Sequence, residues 1–255
     1  MIQVVPIPAF KDNYLWLIHD GRHAAVVDPG DAVPIIDYLT QHGLNLAAIL
    51  VTHHHADHIG GLPALTQKYP GAPVFGPAGE AIPQLTLKLK QGERITLPYL
   101  GLSFDVLDIP GHTAGHIAYL GDGRLFCGDT LFAGGCGRVF EGTMPQMRAS
   151  LAKLKDLPGE TLVFCAHEYT LSNLKFARAV EPENPLLAAR EEHDKATRAA
   201  SRPTVPSRIS LERDTNPFLR WDAPQVIAAA RGRLGHAAGG PDEVFGAIRE
   251  WKNSF

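Results

Sequence analysis

Apolar residues over residues 2–7, 14–19 and 24–28 either alternate with polar ones or run together in short blocks, and each block ends in turn formers such as Asp12-Asn13 or Asp20-Gly21. A period of two predicts half-buried strands, and a short unbroken apolar block predicts a buried one, so the chain opens as a meander. The period then lengthens. Residues 32–42 read as a helix closed by Gly43, followed by a buried strand over 46–51 and a helix over 62–69. Alternation returns at 102–106, leading into Asp108-Ile109-Pro110-Gly111-His112, and two short strands at 117–120 and 124–127 flank Gly121-Asp122-Gly123 as a hairpin. Thr143 and Gln146 supply a capping box ahead of an apolar stripe at Met147, Leu151, Leu154 and Leu157. A strand over 161–165 follows. Beyond Thr170 the pattern is helical, over 171–180, 185–200, 223–234 and 242–252, with a Pro- and Ser-containing connection at 201–210.

Strands and helices interleaved in two similar halves, then a helical tail, imply an α/β fold with two sheets face to face and helices outside. The change of pattern puts a domain boundary near 170, with residues 1–170 carrying the sheets and 171–255 the helices. Composition narrows the class. With 45% hydrophobic and 20% charged residues the chain is neither disordered nor fibrous. A net charge of −3 gives no electrostatic case for nucleic acid or an anionic membrane, so an anionic ligand must be held by a local patch. The first residues lack a basic, apolar secretory pattern and no later run is long and apolar enough to span a bilayer, which leads us to expect a cytoplasmic protein. Cys127, Cys136 and Cys165 are odd in number and far apart, so they read as buried small hydrophobes in a reducing compartment and not as a disulfide framework.

The chemistry concentrates after the strand at 46–51, in Thr52-His53-His54-His55-Ala56-Asp57-His58. A histidine on a polar loop ordinarily just faces water. Here His53 and His55 share one side of an extended chain, and the turn into the next helix lets Asp57 and His58 address a neighbouring point, a pattern that suits two metal ions. His54 alternates to the other side and reads as structural. Three later segments offer the same donors after strand-like runs: His112, Asp129 and His167. The resulting seven nitrogen and carboxylate donors are too many for one tetrahedral ion and fit two ions sharing one carboxylate, for which Asp129 is the candidate. Paired ions make water a competent nucleophile near neutral pH and stabilise a developing oxyanion. No Gly-x-Ser-x-Gly elbow or phosphate loop competes with this reading, and Gly134-Gly135-Cys136-Gly137 reads as a flexible turn.

Those motifs carry a resemblance. Thr-His-His-His-Ala-Asp-His-Ile-Gly-Gly, Pro-Gly-His-Thr-Ala-Gly-His and Gly-Asp-Thr-Leu-Phe resemble the metal motifs of the metallo-β-lactamase superfamily. Residues 135–143, 165–170 and 173–177, with Asn216-Pro217-Phe218, resemble glyoxalase II, the hydroxyacylglutathione hydrolases, in particular. The resemblance implies a four-layer αββα sandwich with a C-terminal helical domain that closes over the substrate. It implies one ion on His53, His55 and His112, another on Asp57, His58 and His167, and Asp129 between them. The ions are expected to be zinc, with iron or manganese as alternatives, and Asp57 and Asp129 are the catalytic carboxylates.

The implied reaction is hydrolysis of an S-(2-hydroxyacyl)glutathione, such as S-lactoylglutathione, by a metal-bridging hydroxide, the second step of methylglyoxal detoxification, in a monomeric enzyme. The implied substrate contacts are Arg138, Tyr169, and Arg249 with Lys252, which grip the glycine carboxylate of glutathione. Phe140 departs from the tyrosine of some relatives, and His116 is expected to orient a ligand. Charges three apart on a terminal helix, such as Arg249 and Lys252, are on their own ordinarily a solvated face. The alternative activities are a mononuclear-iron glutathione persulfide dioxygenase, whose members generally lack the long helical tail, and another hydrolase of the same fold, such as a lactonase.

Overall fold

Strands β1 (Gln3–Ala9), β2 (Asn13–His19) and β3 (His23–Val27) form the expected meander, with Leu17 opposite Val5 on one side and Val26 on the other. The computed structural model describes all 255 residues in two compact units, Met1–Asp108 with Thr113–Gly128, and Ile109–His112 with Asp129–Phe255. In the first unit the chain leaves the meander through helix α1 (Ala32–His42) into β4 (Asn45–Leu50), then through α2 (Ala56–Ile59) and α3 (Leu62–Lys68) into β5 (Val74–Pro77) and β6 (Leu87–Leu89). Pairing of β3, β4, β5 and β6 is parallel, which requires such crossovers. The sheet order is β1-β2-β3-β4-β5-β6. A second, antiparallel set runs β7 (Arg94–Leu97), β8 (Leu102–Asp108), β9 (Ile117–Gly121) and β10 (Arg124–Gly128), each strand paired with the next.

Burial explains the order. Every residue of β2 is buried, so both faces of its sheet are covered. On one face Leu15, Leu17, Val26, Ile49 and Val51 pack with Ile35 and Leu39 of α1 and with Leu62 and Leu65 of α3. Helix α1 starts where the Asp31 carboxylate accepts the Val33 amide and stops at Gly43, whose φ of 64° lies in the left-handed region that favours glycine. Truncating Leu39 to alanine would cost about 2–5 kcal/mol at such a site.

The second unit contains the short hairpin β11 (Leu131–Phe132) and β12 (Gly135–Cys136), then α4 (Met144–Lys155), β13 (Leu162–Cys165), α5 (Thr170–Val180), α6 (Pro185–Ala199), β14 (Ser207–Arg208), α7 (Ile209–Thr215), α8 (Pro224–Leu234) and α9 (Pro241–Ser254). The capping box at Thr143 is present in both directions, and Met147, Leu151 and Leu154 are buried, although Leu157 lies beyond the end of α4. Helix α4 packs against α7 and α9. Phe176, Phe218, Phe245, Trp251 and Phe255 form one chain of ring contacts.

Two readings change here. The glycines at 134, 135 and 137 are buried and not a flexible turn: a Cβ on Gly135 would meet the Asn173 side chain at 2.5 Å, and one on Gly137 the Asp129 carbonyl at 1.9 Å. The glycines allow close backbone approach. The stretch 201–210 is more than a connection, since it supplies β14, paired with β13, and the start of α7.

Candidate metal centre and substrate cleft

In the first unit the candidate donors emerge from the carboxyl end of β4, where open α/β sheets place ligands. His53 Nε2 and His55 Nδ1 face each other at 3.2 Å, and His58 Nε2 lies 3.6 Å from Asp57 Oδ2. Two ligands of one ion at ~2.1 Å stand about 3.4 Å apart in tetrahedral geometry, so these spacings fit metal ligands. The far side of the His53 ring is anchored. Thr52 Oγ1 donates to Asp28 Oδ2 at 2.7 Å, leaving its oxygen to accept from His53 Nδ1 at 3.0 Å. That tautomer turns the His53 Nε2 lone pair inward.

Asp28 escaped the sequence reading. It sits at the carboxyl end of β3 with φ of 51°, is 4% exposed, accepts the Thr52 amide at 2.7 Å, and lies 3.1 Å from His58 Nδ1. Although Asp28, His53 and His58 are close enough to suggest a metal triad, the Asp28 oxygens are already engaged by Thr52 and His58 Nδ1. It therefore orients donors. Asn13, also missed, donates to Asp57 Oδ2 at 2.9 Å. Asp28 reads only as a polar residue after an apolar strand and Asn13 as a turn former, patterns too common to have flagged either one. His116 is fully buried and stacked on His53 with ring centroids 4.5 Å apart, its Nδ1 3.0 Å from the Ile117 carbonyl. His54 turns to Glu80 at 3.0 Å.

In the second unit the Asp129 carboxylate, following β10 in the chain, presents one oxygen to each of two imidazoles: Oδ2 lies 3.5 Å from His112 Nε2 and Oδ1 3.3 Å from His167 Nε2. That is the placement a shared carboxylate needs. His112 Nδ1 donates to the Arg138 carbonyl at 2.8 Å, leaving Nε2 as the donor to a metal. His167 is flanked by Tyr169, stacked with ring centroids 4.6 Å apart at 5°, and by Phe132, T-shaped with centroids 5.8 Å apart. The donor types, spacings and anchored far nitrogens in each unit fit divalent ions.

A cavity of about 540 Å³ in this unit is lined by His112, Asp129, Arg138, Phe140, Tyr169, Arg249 and Lys252. Arg138 and Phe140 are exposed, the latter in a T-shaped contact with His112, ring centroids 5.3 Å apart. Arg249 departs from a solvated helix face. It is 3% exposed, donates to the Cys136 carbonyl at 2.8 Å and to Asn253 Oδ1 at 3.2 Å, and lies over Phe218. Lys252 donates to the Ser172 carbonyl at 3.2 Å, and burial, reinforced by the Arg249 charge, pulls its ammonium down to about 8. The two cations are thus held side by side in the cavity wall against their mutual repulsion. All three cysteines are free and buried, and burial pushes the Cys165 thiol up to about 12. No helix is long and apolar enough to cross a membrane.

The metallo-beta-lactamase superfamily model matches residues 11–167, and the model described as hydroxyacylglutathione hydrolase C-terminus matches 168–255. Hydroxyacylglutathione hydrolase of Nitrosomonas eutropha is 53% identical over 255 residues, and that of Cupriavidus taiwanensis 55% over 266, each comparison covering 100% of both chains. Among solved structures, ETHE1 from Myxococcus xanthus matches with a TM-score of 0.68 at 26% identity, over 98% of this chain and 90% of that one. TTHA1623, solved in a di-iron-bound form, matches with a TM-score of 0.59 at 26% identity, over 84% of this chain and 100% of that one. These likenesses give the α/β sandwich of the metallo-β-lactamase fold with a C-terminal helical region. Covered from end to end by full-length relatives at more than half identity, the chain belongs to the hydroxyacylglutathione hydrolase family of that superfamily.

Proposed function

We propose that the protein hydrolyses the thioester of an S-(2-hydroxyacyl)glutathione such as S-lactoylglutathione, releasing glutathione and the 2-hydroxy acid, and that residues 1–170 form its catalytic domain and 171–255 its substrate-binding domain. One observation carries the reading: the cleft that holds His112 and Asp129 also holds the cation pair Arg249 and Lys252, a fit for a substrate with a reactive acyl group and a distant carboxylate. We assign His53, His55 and His112 to one divalent ion, Asp57, His58 and His167 to a second, and Asp129 to both. The spacings within each unit support this, as does Asp129 addressing two imidazoles with different oxygens. Such ions, which we take to be zinc with iron or manganese as alternatives, lower the pKa of water toward ~7 and polarise a carbonyl.

The chain's own residues do the rest. Asp57, steadied by Asn13, would take up the proton of the attacking water through its other oxygen, while Asp129, with one oxygen toward each imidazole, would keep the two ions together. As oxygen adds to the acyl carbon, the carbon–sulfur bond breaks and the sulfur leaves with the electron pair, to be protonated as glutathione. Arg249 and Lys252 hold the glycine carboxylate, while Arg138 and Tyr169 line the path between, and Phe140 offers ring surface but no hydroxyl. We read the enzyme as a cytoplasmic monomer whose three free cysteines suit a reducing compartment. Elemental analysis of protein purified without added metal, paired with an S-lactoylglutathione assay, tests the proposal. Equal turnover of a thioester lacking the glutathione portion would refute it.

The cation pair gives a second expectation. Arg249→Ala and Lys252→Ala should each raise KM for the glutathione thioester about tenfold or more and lower kcat far less, because the contact is remote from the bond broken. Lys252 is charged below about 8 and neutral above it. KM should therefore climb as pH rises through that value, and Lys252→Arg should flatten the climb. A KM independent of pH in the parent enzyme would show that Lys252 does not contact the substrate.

A further inference from the structure

We infer that Glu80 is a positioning residue for the metal centre, clasping two ligand-bearing loops from behind. This rests on the metal-dependent reading above. Glu80 lies in the segment between β5 and β6 and is 8% exposed, with its side chain almost wholly buried. Each oxygen has a separate task. Oε2 accepts from His54 Nδ1 at 3.0 Å, and Oε1 accepts a short hydrogen bond from Thr113 Oγ1. His54 stands between His53 and His55 in the chain, and Thr113 is the residue after His112. One carboxylate thus fixes the neighbours of three candidate ligands, which neither His54 nor Thr113 accomplishes alone.

The backbone is built to allow it. A Cβ on Gly115 would meet Glu80 Cγ at 2.5 Å and the Gly79 carbonyl carbon at 2.9 Å, so the two loops approach only because these positions lack side chains. A buried carboxylate is costly unless its oxygens are hydrogen-bonded, and here both are. In a loop that also carries metal ligands, such a cost buys orientation: donors held within a narrow range of angles lose less freedom on binding an ion. Glutamate suits the role because both oxygens accept, whereas glutamine offers only one acceptor.

The test measures metal release to a chelator alongside steady-state kinetics on the metal-loaded enzyme. Glu80→Ala should release metal about 10–100-fold faster and lower kcat by a similar factor with KM nearly unchanged, the usual range when a group supporting a metal ligand is lost. Glu80→Gln, which keeps one acceptor, should fall between, and Thr113→Val, nearly isosteric and removing only the Oε1 bond, should show a smaller change of the same kind. Should Glu80→Ala prove too unstable to study, Glu80→Gln and Thr113→Val carry the test. Parent-like metal release and kcat in Glu80→Gln and Thr113→Val, with only the unfolding midpoint lowered, would show Glu80 to be merely structural and overturn the inference. A parent enzyme that hydrolyses the thioester without metal would overturn the inference together with the metal-dependent reading, whereas parent-like variants of a metal-dependent parent leave that reading intact.

Discussion

Asp129→Ala should lose metal and thioester hydrolysis together. The carboxylate lies between His112 and His167, 3.5 Å and 3.3 Å from their Nε2 atoms, with a different oxygen toward each. An alanine there leaves two imidazoles without the anion they face and removes the only ligand assigned to both ions. Metal content should fall from two equivalents toward zero, and kcat should drop by about three orders of magnitude or more, the scale on which losing a principal stabiliser of developing charge is felt. Asp129→Asn separates charge from shape: it keeps the volume and one acceptor oxygen, so some metal should remain while turnover stays low. Elemental analysis of both variants beside the parent decides the matter, and an Asp129→Ala enzyme with parent-like turnover would sink the two-ion scheme.

The second large effect concerns stability. Arg190 on α6 is 5% exposed and donates through Nη2 to Glu212 at 2.6 Å, through Nη1 to Thr215 at 2.6 Å and through Nε to Asp194 at 3.4 Å. Glu212 has no exposed surface, and besides Arg190 it accepts from Ser207, from Asn216 at 2.9 Å and from the Gly134 amide at 2.9 Å. Burial pulls the Arg190 guanidinium down and the Glu212 and Asp194 carboxylates push it up by more, so the cation is held firmly. Arg190→Met leaves Glu212 as a buried anion without its cation and should cost about 3–5 kcal/mol in urea unfolding. Glu212→Gln, neutral and able to keep some of the hydrogen bonds, should cost less against the remaining guanidinium than Glu212→Ala, which also strips the Gly134 amide of its acceptor. Because Gly134 joins β11 to β12 beside the cleft, Glu212→Ala should also raise KM. A loss below about 1 kcal/mol in Arg190→Met would mean that water or a rearrangement satisfies the site.

Where a local pattern carried the information, it was readable. Helix α1 runs over the residues that its period and Gly43 specify, and the β9–β10 hairpin turns at the expected glycines. The short strands β5, β6 and β7 were not found, because three or four residues carry too little alternation and β5 ends in Gly76-Pro77, a pair that reads as a turn. The hairpin β11–β12 was read as a flexible turn for a related reason: the same glycines signal mobility or tight packing, and only the neighbours Asn173 and Asp129 distinguish the two.

Residues near each other along the chain specify the type of chemistry and the longer elements: the spacing of His53, His55, Asp57 and His58, the capping box at Thr143, and the periods of strand and helix. Tertiary structure alone decided which groups orient those donors and which charges are buried. Asp28 reaches Thr52 and His58, Glu80 reaches His54 and Thr113, and Arg190 reaches Glu212 across intervals of chain that leave no periodic trace. A local motif records the dihedral angles and side-chain directions of consecutive residues. A hydrogen bond between distant ones depends on how the intervening elements pack, and isolated aspartates and glutamates look alike until that packing gives one of them a partner.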